Sequence, residues 1–249
     1  MLSERRIATG IARAVRFFWE TRSGQASKQQ AAGRSDQGAR GAVTGGKQMD
    51  GFVLLVRDII RDAGLPDACV HTSTSLELPG YFRPEKKWDL IIVDDEVLVA
   101  AIEFKSQIGP SFGNNFNNRS EEAIGTAQDI WTAYREGAFQ ASDRPWLGYV
   151  MMLEDCPRST SPVSVRQPHF PVFREFVDAS YSARYQLLLT KLVRERLYDS
   201  TCFLLSSRNA GKSGRCTFPD MNLSFSQLAV SLSGKIMAHL NSRRGRPKR

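Results

Sequence analysis

The sequence predicts an α/β fold whose core runs helix, three strands, helix, strand, with extra helices at both ends. Three observations carry this. Apolar residues recur at helical spacing over residues 49–64 and again over 120–136. Leu90–Val93 and Val97–Ile102 are apolar and rich in β-branched residues, and Trp146–Leu153 is a further apolar run. Finally, 249 residues that are 41% hydrophobic can bury a substantial core.

Taken in order, Ser3–Glu20 places Ile7, Ile11, Ala14, Val15 and Phe18 on one helical face, with Ser3 as N-cap. Residues 22–47 change character. Glycine, alanine, serine and glutamine dominate, and five basic residues stand against the single acid Asp36, a composition that favours a mobile basic arm. A helix follows with Asp50 as N-cap, Phe52, Leu55, Val56, Ile59 and Ile60 inward, and Gly64-Leu65-Pro66 as its stop. Ala68–Leu78 reads as a strand or bent strand. Leu90–Ile102 reads as a hairpin buried on both faces, with Asp94–Glu96 turning in water. Ser106–Arg119 reads as a polar loop, Ser120–Glu136 as a helix with Ile124, Ala127, Ile130, Trp131 and Tyr134 on its apolar side, and Trp146–Leu153 as a buried strand.

Beyond this core, Pro157–Pro171 is a proline-rich loop, Tyr181–Tyr198 a basic amphipathic helix, Thr201–Ser206 a short strand and Ser226–Leu240 a helix capped by Ser226. Gly211-Lys212-Ser213 lacks the first glycine of a phosphate-binding loop and is expected on a surface loop. The chain is expected to form one domain over residues 1–242, followed by a basic tail, 243–249. Within that tail Arg244-Gly245-Arg246-Pro247 resembles an AT-hook core, so Arg244 and Arg246 are candidate DNA contacts.

A net charge of +8 and a pI near 9.5 favour a polyanionic partner. No apolar run reaches the roughly 18 residues of a membrane span, and the first residues lack a signal peptide's apolar stretch, so no membrane partner and a cytoplasmic location are expected. The four cysteines are scattered without a CxxC pair, and His71, His169 and His239 are too dispersed for a histidine-based metal centre.

The chemistry concentrates in the hairpin. Asp89 is followed after thirteen residues by Glu103-Phe104-Lys105. Closing the turn puts Val93 opposite Val97, Leu98 or Val99, and hence Asp89 opposite Ala101, Ile102 or Glu103. The period of two sets Lys105 on the face of Glu103. Two adjacent carboxylates repel unless one is protonated or a cation joins them. Mg²⁺, bound by two hard oxygens and keeping open positions, suits phosphodiester hydrolysis, with the lysine orienting water or offsetting charge. Glu77, upstream, is a candidate for a further metal ligand. Asp, spacer, (Asp/Glu)-x-Lys is the pattern of the PD-(D/E)xK nucleases, with Trp88 standing where that motif has proline. The element order given above matches their common core. Asn114, Asn115, Asn117, Asn118 and Arg119 follow the catalytic strand and are candidates for DNA contact, since Asn and Arg pair bidentately with adenine and guanine edges.

Three longer strings carry a closer resemblance: residues 81–89 (YFRPEKKWD), 101–107 (AIEFKSQ) and 109–139 (GPSFGNNFNNRSEEAIGTAQDIWTAYREGAF), joined by 45–52 (GGKQMDGF). They are similar to the XhoI family of type II restriction endonucleases. The resemblance implies a PD-(D/E)xK, restriction-endonuclease-like fold and a homodimeric, Mg²⁺-dependent enzyme of a restriction-modification system. Such an enzyme cuts the palindrome CTCGAG after its first C, leaving four-base 5′ ends, and a partner methyltransferase protects the host's sites without needing physical contact. By position, Asp89 and Glu103 bind the metal with help from the Phe104 carbonyl, and Lys105 positions the attacking water. Lys47 and Gln48, in the matching stretch at the end of the arm, join the candidate DNA contacts. Two alternatives remain at this point: a structure-selective repair nuclease of the same pattern, and a non-catalytic basic DNA-binding protein with an inert acidic cluster.

Overall fold

In the computed structural model, residues 3–31, 47–139 and 142–244 are described, without the side chains of 26–31 and 244. A five-stranded mixed sheet lies between two groups of helices. Its strands are β1 (Val70–His71), β4 (Leu90–Asp94), β5 (Val97–Gln107), β6 (Trp146–Glu154) and β7 (Ser200–Ser206), side by side in that order. The pairs β1/β4 and β4/β5 are antiparallel, and β5/β6 and β6/β7 are parallel. A separate two-stranded ribbon, β2 (Glu77–Pro79) with β3 (Glu85–Lys87), leads into β4.

On one face pack α1 (Glu4–Ala31), α2 (Asp50–Asp62) and the last long helix, which runs Phe225–Arg244. Phe18, Phe52, Val56, Ile60, Phe225 and Leu232 meet Leu90, Ile92, Ile102, Val150 and Leu204 there. On the other face lie α3 (Phe112–Arg135) and the helix Tyr181–Arg194, whose Ala127, Ile130, Tyr185 and Leu189 meet Ile91, Ala101, Leu147, Met151 and Phe203. Covering both faces makes the central strands apolar throughout, which is why β6 is buried at every position. The short helices Pro157–Thr160 and Arg208–Gly211 complete the chain. In chain order the four helices after α3 are therefore α4 (Pro157–Thr160), α5 (Tyr181–Arg194), α6 (Arg208–Gly211) and α7 (Phe225–Arg244). No described helix is long and apolar enough to cross a membrane.

Several expectations are corrected. Helix α1 continues through Ala31, so residues 22–31, the first part of the expected arm, are helical; residues 32–46 lie outside the described residues. Met49, not Asp50, is the N-cap of α2, and Asp50 sits in the first turn. Ala68–Leu78 splits into β1 and β2. Strand β5 runs on to Gln107 and α3 begins at Phe112, so the asparagine run is helical. Phe112 stacks on Tyr181 and Phe116 meets Tyr185 edge-on, and this packing outweighs the poor helix propensity of asparagine. In the expected surface loop Gly211-Lys212-Ser213, Lys212 and Ser213 are exposed, but Gly211 ends a short helix and is buried, where a Cβ would lie 1.9 Å from the Trp19 ring.

The hairpin turn and the C-terminal helix are joined in a way the sequence concealed. Only Asp95 and Glu96 turn in the left-handed region, at φ 54° and 64°. Asp94 pairs with Val97 and is buried, 4% exposed. It receives Arg243 Nη1 at 2.9 Å on each oxygen, lies 2.8 Å from His239 Nε2, and accepts from Cys69 Sγ. These contacts extend α7, capped by Ser224 and not Ser226, through Arg243. The tail expected from Arg243 thus begins inside the fold, and residues 245–249 lie outside the described residues.

Burial alone would raise the Asp94 carboxyl, but hydrogen bonds from His239 and Cys69 and the Arg243 charge outweigh it and hold it below the usual range. The carboxylate therefore adds stability that is present above the ordinary pKa of about 4 and lost as pH falls through the lower folded value. Asp94→Asn should reduce unfolding stability by about 2 kcal/mol at neutral pH. The gap between the urea midpoints of variant and parent should close as the pH is taken below about 4; a gap that widens on acidification contradicts the assignment.

Candidate active site

A β-bulge aims the acidic residues. Ile92 pairs with Ala100, but Val93 pairs with Leu98, so Val99 is the extra residue on β5. Val99 and Ala100 both point to the α1/α2/α7 face, and the alternation is shifted by one from there on. Ala101 therefore faces α3 and α5, and Glu103 and Lys105 follow it. An unbulged β5 in the phase of Val97 would send both side chains into the opposite, apolar core. Continuing the register from Leu90 opposite Ile102 brings Asp89 across from Glu103. The Phe104 N–H donates to Asp89 Oδ2 at 2.7 Å and fixes that carboxylate at the mouth of the hairpin.

Glu103 is 2% exposed and both its oxygens are engaged. Lys105 Nζ lies 2.5 Å from Oε2, and Lys86 Nζ lies 2.5 Å from Oε1. Lys105 Nζ is also 3.7 Å from Asp89 Oδ2. Burial would raise the Glu103 carboxyl, yet the two ammonium groups hold it below its ordinary value. Burial would lower Lys105, but Glu103 and Asp89 push it up, so it is an ammonium donor at neutral pH. Burial and the neighbouring Glu103 charge raise Asp89. One of the two carboxylates is thus neutralised by lysines, and the other still carries the strain of its like-charged neighbour.

Lys86, Glu103 and Lys105 line a cleft of about 700 Å³ that is also bounded by Phe82, Arg119, Glu122 and Tyr149, and Lys105 links it to Asp89. Tyr149 stands beside Glu103 on the neighbouring strand, and its buried hydroxyl has no hydrogen-bond partner. Two hard oxygen donors, with an orphaned hydroxyl beside them, fit a divalent cation that keeps water and a phosphate oxygen as its other ligands. No cluster of three or more metal-ligating side chains occurs among the described residues, so such a cation would be held by few protein groups.

The remaining residues singled out in the sequence are dispersed differently. Glu77 lies exposed on β2 and accepts from the Leu76 N–H at 3.1 Å; the fold does not bring it to Asp89 and Glu103. Lys47 is exposed, whereas Gln48 is 8% exposed inside the turn before α2, which removes it from the surface. Asn114, Asn117 and Asn118 share the exposed side of the first turns of α3, and Asn115 is half-buried. Arg119 lies in the cleft and donates to Glu122. The Arg244 backbone ends α7, and Arg246 lies outside the described residues.

A mixed sheet that brings two carboxylates and a lysine together beside an open cleft, within a basic chain, defines an arrangement suited to phosphodiester hydrolysis. The family described as Restriction endonuclease XhoI matches residues 28–218. The chain is 51% identical over 209 residues to Type II restriction enzyme BstVI of Geobacillus stearothermophilus, covering 82% of this chain and 93% of that protein. It is 49% identical over 181 residues to Type II restriction enzyme XhoI of Xanthomonas vasicola, covering 72% of each. With Type II restriction enzyme AbrI of Azospirillum brasilense it shares 57% identity over 157 residues, 63% of this chain and 70% of the relative. No solved structure matches. The chain belongs to the XhoI family of restriction endonucleases. It is a type II restriction endonuclease whose substrate is DNA, in a family that generally uses a divalent metal.

Two features of the cleft escaped sequence reasoning. Lys86 was hidden in the run Glu85-Lys86-Lys87, where only the strand period separates the inward lysine from the outward one. The other is a clamp around Asp129. Its Oδ1 accepts the Tyr81 and Phe82 N–H groups at 2.8 Å each, and its Oδ2 accepts Arg83 Nε at 2.7 Å. Gly80 is required beside it, since a Cβ there would lie 2.7 Å from Oδ2. The clamp ties residues 81–83 to α3 and holds Phe82, 70% exposed, at the cleft wall. The signal was an aspartate placed among Ala127, Ile130 and Trp131 on the inward side of the helix. Asp129→Ala should speed amide exchange at Tyr81 and Phe82 by roughly tenfold to a hundredfold, the loss of a hydrogen bond to a charged acceptor. Cleavage should weaken without losing its metal dependence, and unchanged exchange would remove the clamp.

Proposed function

We propose that this enzyme cleaves both strands of double-stranded DNA at CTCGAG after the first C, leaving four-base 5′ ends, with Mg²⁺ as its ion and a PD-(D/E)xK arrangement as its core. The observation that carries the reading is Glu103, buried in the cleft of a DNA-cutting family member, one bond network away from Asp89 and Lys105. In support of that core, α2, β1, β4, β5, α3 and β6 run in the order helix, three strands, helix, strand, with the β2/β3 ribbon set between β1 and β4. The recognition site rests on kinship with enzymes named for the same family.

Asp89 and Glu103, with the Phe104 carbonyl, would hold the ion. When bound, Mg²⁺ supplies positive charge that polarises the phosphate and makes a bound water more acidic. The protein's own groups do the positioning. Lys105 remains protonated between Glu103 and Asp89, so its N–H groups orient the attacking water and offset charge growing on the phosphate. It does not take the proton. The Phe104 N–H keeps Asp89 from rotating away from Glu103. A palindrome calls for a homodimer with one cleft per strand, and a cognate methyltransferase protects the host's own sites.

Contacts to DNA divide by position. Asn114, Asn117 and Asn118 stand on the exposed side of α3, able to reach base edges, whereas Arg119 sits within the cleft, where a phosphate comes closest. Lys47 and the basic residues 244–249 act as sequence-independent tethers.

Glu103→Ala and Lys105→Ala should each abolish cleavage of a sequenced plasmid while retaining much of the DNA binding. Metal-dependent cuts by the parent enzyme should map only to CTCGAG, and discrete cuts elsewhere would discard that target while keeping the chemistry. Arg119→Ala should weaken binding to all duplexes alike and lower the salt slope by about 1. Asn117→Ala or Asn118→Ala should instead relax discrimination at one base pair, seen by cleaving singly substituted sites; the opposite pattern would exchange the two assignments.

A further inference from the structure

We propose that Lys86 is a positioning residue that occupies Glu103 in the free enzyme and passes to a DNA phosphate when substrate enters, coupling metal binding to DNA binding. Lys86 pairs with Leu78 across β2/β3, and directly opposed residues point to the same face. Leu78 is buried in the core against α3, so the Lys86 stem is drawn inward while Glu85 and Lys87 stay exposed. The side chain is 18% exposed and lines the cleft. There the ammonium meets Glu103 Oε1 at 2.5 Å and the Lys87 carbonyl at 2.6 Å, with the Trp88 ring 5.1 Å away.

Since Lys105 takes Oε2, both oxygens of the buried carboxylate face ammonium groups. A cation reaching Glu103 must displace one of them. Lys105 is bound to two acids, Glu103 and Asp89, whereas Lys86 has Glu103 as its one carboxylate partner among the described residues. Lys86 is the easier to move, and its flexible stem can swing within the same cleft toward a non-bridging phosphate oxygen. DNA then draws off the ammonium that competes with the metal. The free enzyme holds metal weakly, and the complete site assembles on substrate.

This inference rests on Glu103 being a metal ligand, and the test separates the two claims. Mn²⁺ binding to the full-length, DNA-free protein is followed by electron paramagnetic resonance for the parent, Lys86→Met, Lys86→Gln and Glu103→Gln. Both Lys86 variants should bind Mn²⁺ more tightly by roughly tenfold to a hundredfold, the range of one charge-assisted hydrogen bond. In chelator, where nothing is cut, both should bind a CTCGAG duplex with a salt slope lower by about 1, the effect of removing a single lysine–phosphate pair. Matching thermal melts show that both variants are folded. Unchanged or weaker Mn²⁺ binding in the Lys86 variants, or an unchanged salt slope, overturns the coupling. If Glu103→Gln binds Mn²⁺ as the parent does, the metal-site reading itself fails, and the coupling with it.

Discussion

The single extra residue at Val99 decides which way the charged end of the hairpin faces. Strand β5 is buried on both faces for most of its length, so charged side chains beyond Ala101 have only two destinations: the apolar core of α1, α2 and α7, or the cleft beside α3. A bulge shifts alternation by one residue and so exchanges those destinations. With it, Glu103 and Lys105 open into the cleft while Ile102 and Phe104 take the core positions. Without it, a carboxylate and an ammonium would be buried among Phe52, Ile60 and Phe225, at a penalty of several kcal/mol per ion. The apolar pattern of the hairpin and its charged end are reconciled only through that kink.

Once the side chains are aimed, the charges largely balance. Two acids and two lysines meet at the edge of the cleft, and the most buried of them, Glu103, has an ammonium on each oxygen. This ordering follows from desolvation: a carboxylate nearly closed off from water keeps its charge only if each oxygen is matched. Asp89, with 40% of its side chain exposed, can rely on water and one backbone N–H. The same balance explains why the clamp at Asp129 lies nearby. Its Arg83 is a further cation at the cleft wall, and its grip on residues 81–83 fixes the approach to the ribbon that carries Lys86.

Much of this was readable from residues. Hydrophobic period and composition located both faces of the sheet, the two helices flanking the hairpin and the convergence of Asp89, Glu103 and Lys105, because each signal is local. What was not readable depended on distant partners. The helical state of Asn114–Arg119 is fixed by Phe112 and Phe116 packing on Tyr181 and Tyr185, from a helix well downstream in the chain. Asp94 looked like one of three solvated turn acids, since its partners His239 and Arg243 come from the far end of the chain. Gln48 looked polar and exposed, yet the turn before α2 buries it. Lys86 was indistinguishable from Lys87 without the pairing register of a three-residue strand.

The hairpin is finally held at both ends, and this bears on how sharply the site can be set. At its turn, Asp94 is bound to α7 by Arg243 and His239 and to the segment before β1 by Cys69. At its open end, Trp88 is buried and its N–H bonds the Leu76 carbonyl, while Phe104 holds Asp89. A two-stranded hairpin alone is marginal and prone to slip. Here neither strand can slide without stripping the buried Asp94 carboxylate of its partners at one end or unpacking a tryptophan at the other. Groups that must act together within about 0.5 Å are served best by such fixed elements. Lys86 reaches the site from a separate three-residue strand on a long side chain, so in the proposed exchange its ammonium can leave while Asp89, Glu103 and Lys105 stay on the hairpin.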